Sequence, residues 1–221
     1  TMGHAPIRSV LLLLSVVSLV GMPYAVLMPV FARDILHGGP HTLGFLMGAL
    51  GLGALAGAVY LASRKSVFRV ERNIPIAAAI FGVGLVGVSL SRVLALSLGL
   101  MLVTGFGMMV QMASSNTLIQ SVVDDDKRGR VMGLYAMSFM GVAPFGSLLA
   151  GVIAHRVGAP HTLVGGGICC VVGAVLFARQ LPSFRETIRR AHVRHGLISE
   201  ADARAEAERE LVKPPNVWRS R

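Results

Sequence analysis

Six long apolar stretches, none holding Asp, Glu, Lys or Arg, constrain this chain more than any other feature: Val10–Phe31, Leu43–Ala62, Ile74–Leu90, Val93–Ile119, Val131–Ala154 and Leu163–Ala178. A hydrocarbon layer of ~30 Å is crossed by about 20 helical residues. The third and sixth stretches are short, so their ends are soft by several residues. Helix, not strand, follows from the solvent, because an isolated strand leaves its amides unsatisfied in lipid while a helix bonds each one internally. Composition agrees. Of 221 residues, 53% are hydrophobic and 14% charged, against roughly 25% charged in a soluble domain. Gly is abundant at 26 and aromatics are 6%, which suits helices packed through small residues in lipid. A disordered chain, a disulfide scaffold and a soluble enzyme are all at odds with these figures.

Turn chemistry separates the stretches, at His37-Gly38-Gly39-Pro40, Ser89 to Arg92, Asp124 to Arg130 and Gly158-Ala159-Pro160. A cleavable signal peptide does not fit, since the first stretch is long and five more follow. The chain begins Thr1-Met2-Gly3-His4, so Thr1 is not expected to be a native start.

Net charge is +10, and its distribution reads as topology, not as nucleic-acid binding. One side holds eight basic residues: Arg8, Arg64, Lys65, Arg69, Arg72, Lys127, Arg128 and Arg130. The other side holds three, Arg33, Arg92 and Arg156, and the remaining ten of 21 lie from Arg179 onward. Both termini are therefore expected on the cytoplasmic side of a cell membrane. The organisation reads as a stub at 1–8, a six-helix transmembrane domain at 9–180 and a basic, charged tail at 181–221. In the tail, Phe184, Ile188 and Ala191 recur among Arg185, Arg189, Arg190 and Arg194. That pattern fits a helix on an anionic membrane surface and equally a solvated helix. Ser199 and Asp202 resemble a capping box opening a second helix, which Pro214-Pro215 ends.

Within the spans, Gly53 and Gly57 form a GxxxG, and Ser147 and Gly151 repeat the spacing. Both read as helix-packing positions. Pro23, Pro29 and Pro144 remove backbone hydrogen bonds and mark bends or flexible points. Thr104, Met108, Gln111 and Ser115 fall within a ~60° sector of one helix face. Lipid would waste their hydrogen bonds, so this face meets other helices or a wet cavity. Two purposes stay open: recognition of an amphipathic molecule by soft Met beside amide and hydroxyl, or interhelical bonding. Ser15, Ser18 and Met22 repeat the pattern in the first span.

Enzyme chemistry finds little to stand on, and no cofactor or metal is expected. The adjacent Cys169 and Cys170 cannot make a CxxC pair and read as small hydrophobes. The seven histidines lie at loops, span ends and the tail. No span core carries an acid for proton coupling, so any such group lies on a partner segment. The connection Asp124-Asp125-Asp126-Lys127-Arg128-Gly129-Arg130 is the densest charge cluster. It reads either as a solvated loop, its acids favouring a helix dipole, or as a gate latch.

Several strings resemble the C-terminal half of a major facilitator superfamily exporter, most similar to its drug and siderophore branch with enterobactin- and macrolide-exporter-like proteins. They are Pro29-Val30-Phe31-Ala32-Arg33-Asp34, Gly51-Leu52-Gly53-Ala54-Leu55-Ala56-Gly57-Ala58, Asn116-Thr117-Leu118-Ile119-Gln120, Arg128-Gly129-Arg130-Val131-Met132-Gly133-Leu134-Tyr135 and Pro144-Phe145-Gly146-Ser147-Leu148-Leu149-Ala150-Gly151. The resemblance covers about Ile7 to Pro182. It implies an all-α membrane protein, the six-transmembrane-helix half of that fold, built as two inverted three-helix repeats plus a cytoplasmic helical tail. It implies the first and fourth spans on a central cavity, the second and fifth at the domain interface, and the third and sixth outside. The string from Gly57 to Arg64-Lys65 resembles the superfamily's cytoplasmic signature, with Ser63 where an acid is usual. The chain is half the implied length, so the expectation is a fragment or a half-transporter that must pair with an N-terminal six-helix half. The function implied is secondary, proton-coupled antiport of amphipathic small molecules such as drugs or siderophores. A non-transporting membrane module that binds partner helices is the alternative; it predicts sensitivity to Gly53→Leu but not to Gln111→Ala.

Overall fold

The computed structural model describes residues 5–21, 23–63, 70–123 and 125–194, with side chains described at 7–21, 23–63, 70–123 and 126–182. Among these the protein is all-helical, with six helices long and apolar enough to cross a membrane. They are α1 Ile7–Ile35, α2 Pro40–Ala62, α3 Val70–Leu90, α4 Leu94–Val122, α5 Asp126–Val157 and α6 Ala159–Pro182. Each apolar stretch of the sequence falls on one of them, with Val93 alone outside, as the extended residue that precedes α4. The helices overrun the stretches, most clearly where α3 carries Glu71 and Arg72 in its first turn and α5 starts on charged Asp126 to Arg130. Apolarity marks the part of a helix that lipid must solvate, whereas backbone bonding continues into water until a turn stops it.

The end of α6 departs from the sequence reading. Its helix runs unbroken from Ala159 to Arg194 with Pro182 inside it. Proline removes one ladder bond, and here the backbone carries on past it, so the change of composition at Leu181-Pro182 is no helix end. The surface-helix pattern of Phe184, Ile188 and Ala191 falls on this helical backbone, with side chains outside the described residues. The capping box at Ser199 also lies outside them.

Packing is organised around α3 and α4. Helix α3 lies along α4 and α6, α2 lies along α4, and α1 and α5 pack on each other and on α6. In lipid no hydrophobic force joins apolar helices, so close contact of small residues has to do it. A side chain on Gly53 would strike the Leu102 backbone, and one on Gly105 the Leu50 carbonyl, so α2 and α4 touch backbone to backbone. Gly82 and Gly167 do the same for α3 and α6, each 2.6 Å from the other's carbonyl once a Cβ is added. Large apolar side chains fill the rest of the interior, among them Leu14, Met28, Phe31, Leu46, Ile74, Phe81, Leu85 and Ile119.

The six spans differ in enclosure. The apolar windows of α3 and α1 are 56% and 53% buried, those of α2 and α5 only 17% and 11%. Helix α2 leaves Leu52, Leu55 and Val59 open, and α5 leaves Met137, Met140, Phe145 and Leu148 open. The resemblance implies α3 on the outside, yet within this unit it is the most enclosed span. Its open side carries the single stripe Ile76, Val83 and Leu90, and its other sides back onto α4 and α6. A helix can face lipid in the whole transporter and still be walled in by its own half.

Candidate functional site

The polar stripe of α4 is turned inward. Thr104, Gln111 and Ser115 are buried and Met108 is half-buried. Thr104 Oγ1 donates to the Leu100 carbonyl of its own helix at 2.7 Å, a back-bond that satisfies a hydroxyl without a partner helix. Thr104 also packs on Gly84, whose missing side chain makes room for it. Gln111 Nε2 donates to Ser115 Oγ at 3.4 Å. Met108 Sδ accepts from Tyr24 Oη of α1 at 3.8 Å, and the Tyr24 ring meets Phe81 edge-on at 6.2 Å. The bonds of Thr104 and Gln111 stay within α4, while Met108 bonds to α1 and Thr104 packs on α3. The stripe thus faces α1 and α3, as a buried amide and hydroxyls in a membrane should face other helices or a cavity and not lipid.

The first span's version of the pattern also points inward. Ser15 Oγ donates to the Leu11 carbonyl at 2.9 Å. Ser18 is buried and donates to the Phe139 carbonyl of α5 at 2.5 Å. Met22 lies outside the described residues.

Of the packing positions, Gly53 and Gly57 both sit against α4, Gly57 with the Phe106 carbonyl 3.0 Å from where a Cβ would be. Gly151 has nothing within 4 Å of that point, and Pro144 is exposed. The close approach of α5 is made by Gly146, against the Leu19 backbone, not by Gly151. The two positions stand five residues apart and therefore point in different directions around the helix.

The cytoplasmic cluster is described in part. Asp126, Arg128 and Arg130 are exposed in the first turns of α5, and the helix opens on Asp125, so two acids lie inside its positive end, where the dipole favours them. Arg64, Lys65, Asp124 and the side chain of Asp125 lie outside the described residues. Ser63, at the end of α2, donates to the Tyr60 carbonyl at 2.8 Å.

Two side chains escaped the sequence reading. Tyr135 Oη of α5 donates to the Met112 carbonyl of α4 at 3.0 Å. Its acceptor is a backbone carbonyl 23 residues away, which no side-chain pattern marks. Ser114 is buried, and its hydroxyl has no hydrogen-bond partner among the described residues. It lay one residue off the stripe.

Six membrane-length helices, glycine-seated and carrying an amide-hydroxyl interior, define a multi-pass helical membrane unit. Residues 1–207 match the model of the transmembrane secretion effector family of the major facilitator superfamily, and the chain belongs to that family. Comparison with curated proteins returned no match.

Proposed function

We propose that this transporter unit exports amphipathic small molecules of the drug or siderophore type by proton-coupled antiport, working against a second six-helix half. The family membership carries the reading. The open, apolar faces of α2 and α5 support a second half, which would cover them. The soft surface of half-buried Met109 and Met112 on α4 and exposed Met137 and Met140 on α5 supports an adaptable cargo site. Thioether chains repack around ligands of different shape. The spans' cores hold no acid, so the coupling carboxylate belongs to the other half. The lysine and arginine distribution supports a cell-membrane location with both termini cytoplasmic. None of these roles needs an enzyme's nucleophile.

The test is flux. The unit is reconstituted in liposomes with its other six-helix half, in the same chain or as a second copy, and a pH gradient is imposed. Accumulation of a fluorescent cationic drug or a siderophore, abolished by collapsing the gradient, is the expected result. No movement of any such probe with the gradient intact overturns the proposal.

A further inference from the structure

Helix α1 contains two widened, π-helical turns, Val17–Gly21 and Phe31–Ile35, and α5 contains one, Met137–Gly141; the first and the last of these meet. In a π turn a carbonyl is reached by the amide five residues on. Ser18 and Phe139 each stand five residues before a proline, Pro23 and Pro144, and proline has no amide hydrogen to give. At that spacing, the Phe139 carbonyl loses its own helix's donor. In lipid an unsatisfied carbonyl costs several kcal/mol, so a replacement is needed. The Ser18 hydroxyl, fully buried, supplies it. The donor comes from the other helix's π turn, at the same distance before its own proline.

A second contact joins the same two turns. The Leu19 carbonyl, which an amide at position 23 would reach in ordinary α spacing, faces Gly146, just beyond Pro144. Any Cβ there would collide with it. Two weakened helix segments therefore meet each other, and the first supplies the hydrogen bond that the second lacks.

We propose that the Ser18 hydroxyl and the Phe139 carbonyl couple the two π turns, so that α1 and α5 bend together as one hinge. Bending either helix at its turn moves one end of this shared bond. That the hinge serves alternating access rests on the transport reading above; the coupling itself does not, and its test needs no cargo.

The experiment is amide hydrogen exchange on the full chain in lipid nanodiscs, read separately over Val17–Gly21 and Met137–Gly141. Ser18→Ala should speed exchange in both segments by roughly threefold, the worth of an average interhelical bond in a membrane, while the α3–α6 contact keeps its rate. Pro144→Ala restores a donor to α5. With Ser18 present it should slow exchange over Val17–Gly21 as well as over Met137–Gly141; with Ser18→Ala it should slow only the latter. If Ser18→Ala leaves Met137–Gly141 unchanged, or Pro144→Ala acts on Val17–Gly21 equally in both backgrounds, the coupling does not exist. Unaltered exchange over both segments in Ser18→Ala overturns the hinge and leaves the transport reading standing.

Discussion

Helices α2 and α4 meet through glycine, with Gly53 and Gly105 bringing backbone against backbone over ladders that no proline interrupts after the first turn. Helices α1 and α5 meet through two π turns, two prolines and a borrowed hydroxyl. The first contact has many small van der Waals terms and no freedom to slide, since any displacement drives a carbonyl into a Cα. The second has its backbone bonds already loosened and rejoined by a single side chain. One unit thus holds a stiff seam and a pliable one, and the difference lies in what interrupts the ladder, not in hydrophobicity.

The comparison breaks most easily at the stiff seam. Gly53→Leu places a branched side chain into the Leu102 backbone and should cost about 3 kcal/mol, the upper range for overpacking; thermal unfolding and gel filtration in detergent would show it. If the protein tolerates that change, α2 and α4 are not locked together. Gln111→Ala comes next. It removes a buried amide bonded to Ser115 and should cost about 1 kcal/mol while leaving cargo affinity within twofold, measured by equilibrium binding of a transported probe. A large loss of affinity at unchanged stability would return the stripe to the cargo site. Tyr135→Phe deletes one hydroxyl bond between α4 and α5 and should cost about 0.6 kcal/mol, read as a small drop in the unfolding midpoint. Smallest of all is Gly151→Leu. It enters open space and should shift unfolding of the isolated unit by less than about 0.5 kcal/mol, although the sequence gives it the same small-residue spacing as Gly53.

That last pair shows how far the sequence could be read. Gly53 and Gly151 both end or begin a small-xxx-small pattern, yet one is pressed against a backbone and the other faces nothing. Spacing says which residues share a helix face; it does not say which faces are covered. The same limit applied to Thr104, Gln111 and Ser115. Their common face was legible at 100° per residue, and whether that face looked into a cavity or into the bundle was not. Ser18 reads as one of a weak polar row, but its acceptor lies 121 residues away and leaves no local trace. Prolines flagged the neighbourhood of both π turns without revealing the turns, because a widened turn has no residue pattern of its own.

Local chemistry alone determined that six helices cross a bilayer, roughly where each enters and leaves it, and which side is richer in positive charge. These follow from the transfer of each residue between water and hydrocarbon, a quantity that needs no neighbour. Only the tertiary structure decided which glycines touch, that α3 is enclosed and α2 and α5 are open, and that a serine of α1 completes the backbone of α5. Those depend on pairs of distant groups meeting at van der Waals or hydrogen-bond distance, and a linear pattern carries no information about which of its faces will find a partner.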